Sequence, residues 1–359
     1  MKKRICTKPF EWLEIFNEPE GGLYICCPGW LPTPIGNIAQ TDAKTLWQGP
    51  LASQIRASVI DGSFKYCSKD FCPYMEDPDA PDSPMKDVDE YEYEEYQLAV
   101  IHPELYLPAP KTLNCAYDRS CNLQCPSCRV EILQASKEER AGYQSLINDV
   151  LDVFADDLET LYVTGSGDPF ASRHYWELLT SDITDRYPKL KFRLHSNAIL
   201  FTESRWQQLT HLHGKVQMIE ISIDGGRKES YEINRYPAKW DTLVERMEFI
   251  AAIRQEYPDM VLKINHVVQA NNWRDMRSLV TLAQRWGADI LKFSKINNWG
   301  TYSPSEYRRV CVHEPGHPDF EAFQAYIADP LFAIPMIMMD NFLPTMPELI
   351  ATDCALEPS

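Results

Sequence analysis

The chain has 359 residues, of which 44% are hydrophobic, 11% aromatic and 24% charged, a composition that supports a sizeable core and excludes a disordered or collagen-like polymer. With 35 Lys+Arg against 52 Asp+Glu the formal net charge is −17, a field that repels a phosphate backbone and sets nucleic acid aside as a partner. The longest apolar run, Leu331–Met339, is interrupted by Pro335 and far too short to cross a bilayer, and the start MKKRICTKPFEWLEIF lacks the apolar stretch of a secretory signal, so a cytoplasmic protein with no membrane partner is expected.

That location bears on the 11 cysteines, because a reducing compartment disfavours disulfides and leaves metal or cluster ligation as the usual reason for grouped thiols. Five fall early (Cys6, Cys26, Cys27, Cys67, Cys72), four follow in one short stretch (Cys115, Cys121, Cys125, Cys128), and Cys311 and Cys354 lie apart. Two sites are expected. Between the groups, residues 76–96 hold ten acids, one lysine and three prolines, which reads as a solvated linker, with a docking surface for a basic partner as the sharper alternative.

Beyond the linker, strand patterns at Thr112–Tyr117, Thr160–Thr164, Lys191–Ser196, Met218–Ile223, Val261–Val268 and Ile290–Ser294 alternate with helical ones. Ser136 and Glu139 make a capping box ahead of the stripe Tyr143, Leu146, Ile147, Val150, Leu151 and Phe154. Asp241 and Asn272 are candidate caps of two further helices, and Gly287 ends the second. Strict alternation predicts an α/β fold with a parallel sheet. Six units are too few for a closed eight-unit barrel, so a partial (β/α)6 barrel with its site at the strand C-termini is expected. The predicted organisation is a Cys-rich unit over 1–75, a linker over 76–109, the barrel over 110–300 and a helical or irregular extension over 301–359.

Cys121-Asn-Leu-Gln-Cys125-Pro-Ser-Cys128 follows the first barrel strand directly. Three thiolates in one short loop suit one corner of a four-iron four-sulfur cluster, each on a different iron, with the fourth iron lacking a local protein ligand. Zinc is the alternative, although closed structural zinc shells usually pair two knuckles and no second knuckle lies nearby.

This Cys-x3-Cys-x2-Cys loop after the first strand of a β/α sheet resembles that of the radical S-adenosylmethionine (SAM) superfamily, over roughly residues 110–300. The resemblance implies a [4Fe–4S] cluster whose open iron is chelated by SAM, reductive cleavage of SAM to a 5′-deoxyadenosyl radical, hydrogen abstraction from substrate, and a reductant such as flavodoxin or ferredoxin. Thr164-Gly165-Ser166-Gly167-Asp168-Pro169 resembles the family's glycine-rich motif, with Asp in place of the commoner Glu. Ile221-Ser222-Ile223-Asp224-Gly225, with Tyr231 and Arg235 after it, resembles a second family signature. Together with Ser196, Asn197 and Gln269 at neighbouring strand ends, the resemblance implies that Gly165, Ser166, Gly167, Asp168, Ser222, Asp224 and Arg235 bind SAM. Taken singly, Ser196, Asn197, Asp224 and Asn271 read as ordinary turn and cap residues.

Cys6, Gly21, Cys26, the Gly36-Asn37 turn, Trp47 and the pair Cys67 and Cys72 follow an order that resembles the SPASM or twitch auxiliary domain of the same superfamily, here ahead of the barrel rather than after it. The resemblance implies a second [4Fe–4S] cluster held by Cys6, Cys26, Cys67 and Cys72, with a structural zinc as the alternative. Cys26 and Cys27 point to opposite faces if extended, so one of them is a ligand, and Cys26 is favoured. Cys27, Cys115, Cys311 and Cys354 read as small buried hydrophobes; Cys115, Cys311 and Cys354 are also the candidate hydrogen-atom donors that an epimerase needs. His211, His213, His313 and His317 show no metal spacing and are expected at the surface.

The function expected is a radical SAM enzyme acting on a ribosomally made precursor peptide by crosslinking, epimerisation or backbone excision. A dehydrogenase or epimerase of a sugar or aminocyclitol is the alternative. A non-catalytic electron-transfer or metal-stabilised binding module is the second alternative.

Overall fold

The computed structural model describes residues 3–17, 21–69, 71–79, 83–154, 156–340 and 342. Its main sheet has ten strands. The six expected ones are β6 (Thr112–Ala116), β7 (Thr160–Val163), β8 (Lys191–Ser196), β9 (Val216–Ser222), β10 (Val261–Val268) and β11 (Ile290–Lys295), hydrogen-bonded in chain order and parallel throughout. When spatial order equals chain order, every right-handed crossover advances the same way and every helix lands on one face. That face is apolar: Leu161, Val163, Phe192, Leu194, Ile219, Ile221, Leu262, Ile264, Leu291 and Phe293 are fully buried. Full burial of one such side chain contributes about 1.5–3 kcal/mol. Alternate residues on the other face are polar, including Tyr162, Arg193, Glu220, Asn265 and Lys292.

The sheet is larger than six strands. β2 (Trp12–Phe16) adds in parallel to β6 at one edge, and β12 (Ile337–Met339) adds in parallel to β11 at the other. Beyond β2, β3 (Gly22–Tyr24) and β4 (Gly36–Asn37) continue antiparallel. The segment expected to be a separate unit over 1–75 thus shares the barrel's sheet, because the apolar residues of Trp12–Phe16 complete the exposed edge of β6. A Cβ on Gly29 would stand 3.6 Å from the Trp299 ring, so the N-terminal segment meets the loop after β11 across the open end.

The acidic stretch is not simply a linker. β5 (Met85–Val88) pairs with β1 (Lys3–Cys6) antiparallel, and the helix Glu90–Ile101 starts at a capping box between Asp89 and Glu92. Glu90 and Glu92 lie in its first turn, where the helix dipole favours acids. The Ser136/Glu139 box forms as expected. Asp241 instead lies inside the first turn of Trp240–Glu256, and Asn272 holds the backbone of Asp224, Val267 and Gln269 rather than capping by its side chain. Of the four histidines expected at the surface, His313 is buried, while His211 and His213 bond to the carbonyls of Leu179 and Trp206.

Candidate functional site

The cysteine loop leaves β6 at the C-terminal end of the sheet and is held from several directions. Cys121 N–H donates to Leu133 O at 3.0 Å, Gln124 N–H to Tyr236 O at 2.7 Å, and the N–H groups of Cys128 and Arg129 both donate to Cys125 O. The Asp118 carboxylate accepts from Ser120 N and from Ser172 Oγ, and so ties the loop to the helix Arg173–Leu179.

Each sulfur faces a donor. Cys121 Sγ accepts from Leu123 N at 3.4 Å and Asn197 Nδ2 at 3.7 Å, Cys125 Sγ from Arg235 Nη1 at 3.8 Å, and Cys128 Sγ from Arg129 Nη2 at 3.3 Å. Burial pushes the Cys121 thiol up to about 12, with Asp168 adding to the effect. Burial raises Cys125 as well, against the opposing charge of Arg235. Such thiols ionise when a bound metal takes the place of the proton. Two guanidinium groups beside three sulfurs suit an anionic cluster.

Arg129 was not singled out in the sequence, yet it joins the cysteine loop to the glycine-rich turn, donating to Arg119 O and Ser166 O at 2.6 Å each. Its only sequence signal is adjacency to Cys128. At Gly167 a Cβ would lie 2.4 Å from Asp118 O and 2.7 Å from Ser120 O, so the turn needs glycine for the cysteine loop to cross it. Gly165 has no such crowding; its nearest neighbour would be Asn114 Nδ2 at 3.8 Å. Ser166 Oγ donates to Ala116 O at 2.6 Å.

Asp168 is almost fully buried, and its carboxylate accepts from Ser196 Oγ, Asn197 N, Phe170 N and Ala171 N at 2.8–3.1 Å. Asn197 then reaches Asn122 Oδ1 at 2.9 Å. Asp168, Ser196 and Asn197 are therefore brought together as the brace that sets the ends of β7 and β8 against the cysteine loop.

The second signature is also used internally. Asp224 Oδ2 pairs with Arg235 Nη2 at 2.8 Å and Oδ1 accepts from Val267 N at 2.7 Å. Burial opposes the Arg235 charge, but Asp224 and Cys125 hold its pKa above the ordinary value. Ser222 Oγ lies 2.8 Å from His195 Nε2, on the polar face of the sheet. There Glu220 binds Lys263 at 3.1 Å, Tyr162 and Asn265. None of these three partners of Glu220 was foreseen. Among the described residues, Arg235 Nε, Gln269 Nε2 and Tyr231 Oη are buried without a hydrogen-bond partner.

The N-terminal thiols converge too. Cys6, Cys26, Cys67 and Cys72 line one cavity with Lys8, Trp30, Tyr74, Met75 and Met85; Cys27 does not line it. Burial pushes Cys6 up to about 12 and Cys67 up to about 11. Cys27 faces Glu14, itself pushed up to about 7 by burial. Lys8 Nζ sits over the Trp12 and Trp30 rings at 3.9 and 5.0 Å. Among the described residues, no group of three or more His, Cys, Asp or Glu side chains is drawn together tightly enough to hold a single metal ion. Of the candidate hydrogen donors, Cys115 shares its face of β6 with Tyr117, whose ring packs on Tyr143 and Tyr175 of the helix layer, and is fully buried there. Cys311 is fully buried beside Tyr307. Cys354 lies outside the described residues.

No family model matches the chain, and no curated protein matches it. Among solved structures it is similar to Streptococcus suis SuiB, at 13% identity and a TM-score of 0.47, with 86% of this chain and 66% of that one covered. It is also similar to SuiB bound to precursor peptide SuiA (13%, 0.46, 80% and 62%). A third is anSMEcpe with bound AdoMet and Kp18Cys peptide (20%, 0.39, 55% and 57%). A fourth is the radical S-adenosylmethionine methyltransferase TsrM from Kitasatospora setae, with cobalamin and a [4Fe-4S] cluster bound (14%, 0.38, 58% and 36%). The chain spans less than two thirds of the length of each. Among the described residues no helix is long and apolar enough to cross a membrane.

Proposed function

We propose that the chain is a radical SAM enzyme whose cluster is held by Cys121, Cys125 and Cys128, with a second, auxiliary cluster in the cavity of Cys6, Cys26, Cys67 and Cys72. The observation that carries this reading is the three-thiol loop at the C-terminal end of the parallel sheet, each sulfur facing a donor and two of the donors guanidinium groups. When bound and reduced by one electron, a [4Fe–4S] cluster with SAM on its open iron supplies a 5′-deoxyadenosyl radical. The chain's own residues do the rest. Arg129 and Arg235 offset the negative charge of the thiolates, and Asp168 with Ser196 and Asn197 fixes the loop against the sheet. Gln269, Tyr231 and Arg235 offer buried donors to SAM, and Gly165 leaves room for its approach. In the N-terminal cavity, four thiols reaching in from separated stretches of chain suit a closed cluster without an open iron.

The substrate we favour is a peptide. The N-terminal segment comes up against the Trp299 loop at Gly29, and Trp299 is largely exposed there, a broad aromatic surface that suits a peptide chain. The hydrogen-bonding face around Glu220, Tyr162 and Asn265 favours a second reading, a sugar or aminocyclitol. Anaerobically reconstituted protein, given SAM and dithionite, is expected to release 5′-deoxyadenosine; none released would overturn the enzyme reading. Mass change in a short precursor peptide, against oxidation or inversion of an aminocyclitol, separates the two substrates.

A further inference from the structure

We propose that Lys8 sets the reduction potential of the cluster held by Cys6, Cys26, Cys67 and Cys72, as a fixed cation that favours its reduced state. The inference rests on the auxiliary-cluster reading given above and adds to it a residue outside the cysteine pattern.

Lys8 lines the cavity with the four thiols, two residues after Cys6, where β1 ends and the short helix Lys8–Glu11 begins. Aromatic faces place its ammonium: Nζ lies 3.9 Å from the centre of the Trp12 ring and 5.0 Å from that of Trp30. Such rings hold a cation without cancelling its charge. The backbone that carries it is pinned too, because the fully buried Arg56 donates to Pro9 O at 2.9 Å and to Trp47 O at 2.7 Å. Glu14 is the carboxyl that faces Lys8, and burial pushes that group up to about 7, so at neutral pH it offsets the ammonium only in part.

Burial pushes the thiols of Cys6, Cys26 and Cys67 up, and Lys8 opposes the effect at Cys6 and Cys26. The same charge acts on a bound cluster. A four-iron cluster on four thiolates is an anion that gains one more negative charge on reduction, so a cation fixed beside it in an apolar cavity favours the reduced form over the oxidised one. Arg129 and Arg235 stand beside the loop sulfurs in this way; among the residues lining the N-terminal cavity, Lys8 is the cation that can do so. Lys69 faces Cys67 but is exposed, where water and salt screen it.

The test uses the full chain carrying Cys121→Ala, Cys125→Ala and Cys128→Ala, reconstituted anaerobically so that the N-terminal cluster is observed alone. Its potential is read by a dithionite titration followed by electron paramagnetic resonance; the step adds one electron to the cluster and makes or breaks no bond. Lys8→Met removes the charge and keeps an apolar stem, Lys8→Arg keeps the charge, and Lys69→Gln removes an exposed one. The expected result for Lys8→Met is a fall of about tenfold in the reduced-to-oxidised ratio at a fixed poise, about 59 mV for one electron, with iron content unchanged. Lys8→Arg should restore most of it, and Lys69→Gln should shift it far less. Equal potentials with and without the Lys8 charge would overturn the proposal, as would an equal shift in Lys69→Gln, which would reduce the effect to net charge. Loss of iron in both Lys8→Met and Lys8→Arg would overturn it as well, by making Lys8 a folding residue. Zinc, or no cluster, in the chain with Lys8 intact would instead overturn the auxiliary-cluster reading, and this proposal with it.

Discussion

The three thiols after β6 come from eight consecutive residues of one loop, whereas the four in the N-terminal cavity come from stretches spread between Cys6 and Cys72. Their surroundings differ as much. The loop's sulfurs meet Arg129, Arg235 and Asn197; the cavity is apolar, with Lys8 as its only cation among the lining residues. A site made by local spacing can hold metal before the fold is complete, while a site made by long-range convergence exists only once β1 to β4 and the following turns are in place. Metal binding at the second site is thus linked to folding of the N-terminal segment in a way that binding at the first is not.

The largest effect that separates the two regions is on catalysis. Cys121→Ala, Cys125→Ala and Cys128→Ala together are expected to abolish 5′-deoxyadenosine formation and remove about half the iron, while the protein still folds. Serine at Cys6, Cys26, Cys67 and Cys72 should remove the other half, spare some uncoupled SAM cleavage and lower the unfolding midpoint, as iron assay and calorimetry read out. Iron lost from the loop with stability unchanged, but lost from the cavity only along with stability, is the pattern the comparison demands.

Next in size is Arg235→Ala. It strands the nearly buried Asp224 carboxylate, and breaking such a pair typically costs about 3–5 kcal/mol. Denaturant unfolding should show that loss, and Asp224→Asn in the same chain should recover part of it. Anaerobic calorimetry should show weaker SAM binding with iron retained; unchanged affinity would leave Arg235 a purely structural residue.

The smallest effect lies in the helix layer. Burial pushes His174 down to about 4 from an ordinary 6.5, and its Nε2 lies 3.0 Å from Tyr117 Oη. A histidine held neutral in the fold contributes stability that is fully present above pH 6.5 and is lost as pH falls toward 4. About 2 kcal/mol should disappear between pH 7 and pH 5. His174→Gln should flatten that part of the profile, measured as the difference between parent and variant.

The same contrast governs what was legible in the sequence. β8 and β10 fall where local alternation placed them, and the cysteine loop declared itself by spacing alone. β2 and β12 did not, since their partners β6 and β11 supply the pairing and no local pattern records it. The Asp89/Glu92 capping box was hidden by the charge density around it. Asp168, Asp224 and Ser222 were read as cofactor contacts from their motifs, yet their side chains are engaged by Ser196, Arg235 and His195. Spacing names residues at a strand end, but side-chain direction decides whether they face a ligand or brace a neighbouring strand.

The most direct measurement is electron paramagnetic resonance of the reduced variant lacking Cys6, Cys26, Cys67 and Cys72, recorded with and without SAM. One cluster, held by Cys121, Cys125 and Cys128, should remain, and its spectrum should change when SAM occupies the iron that no cysteine holds. A cluster signal indifferent to SAM, or no cluster at all, would contradict the account.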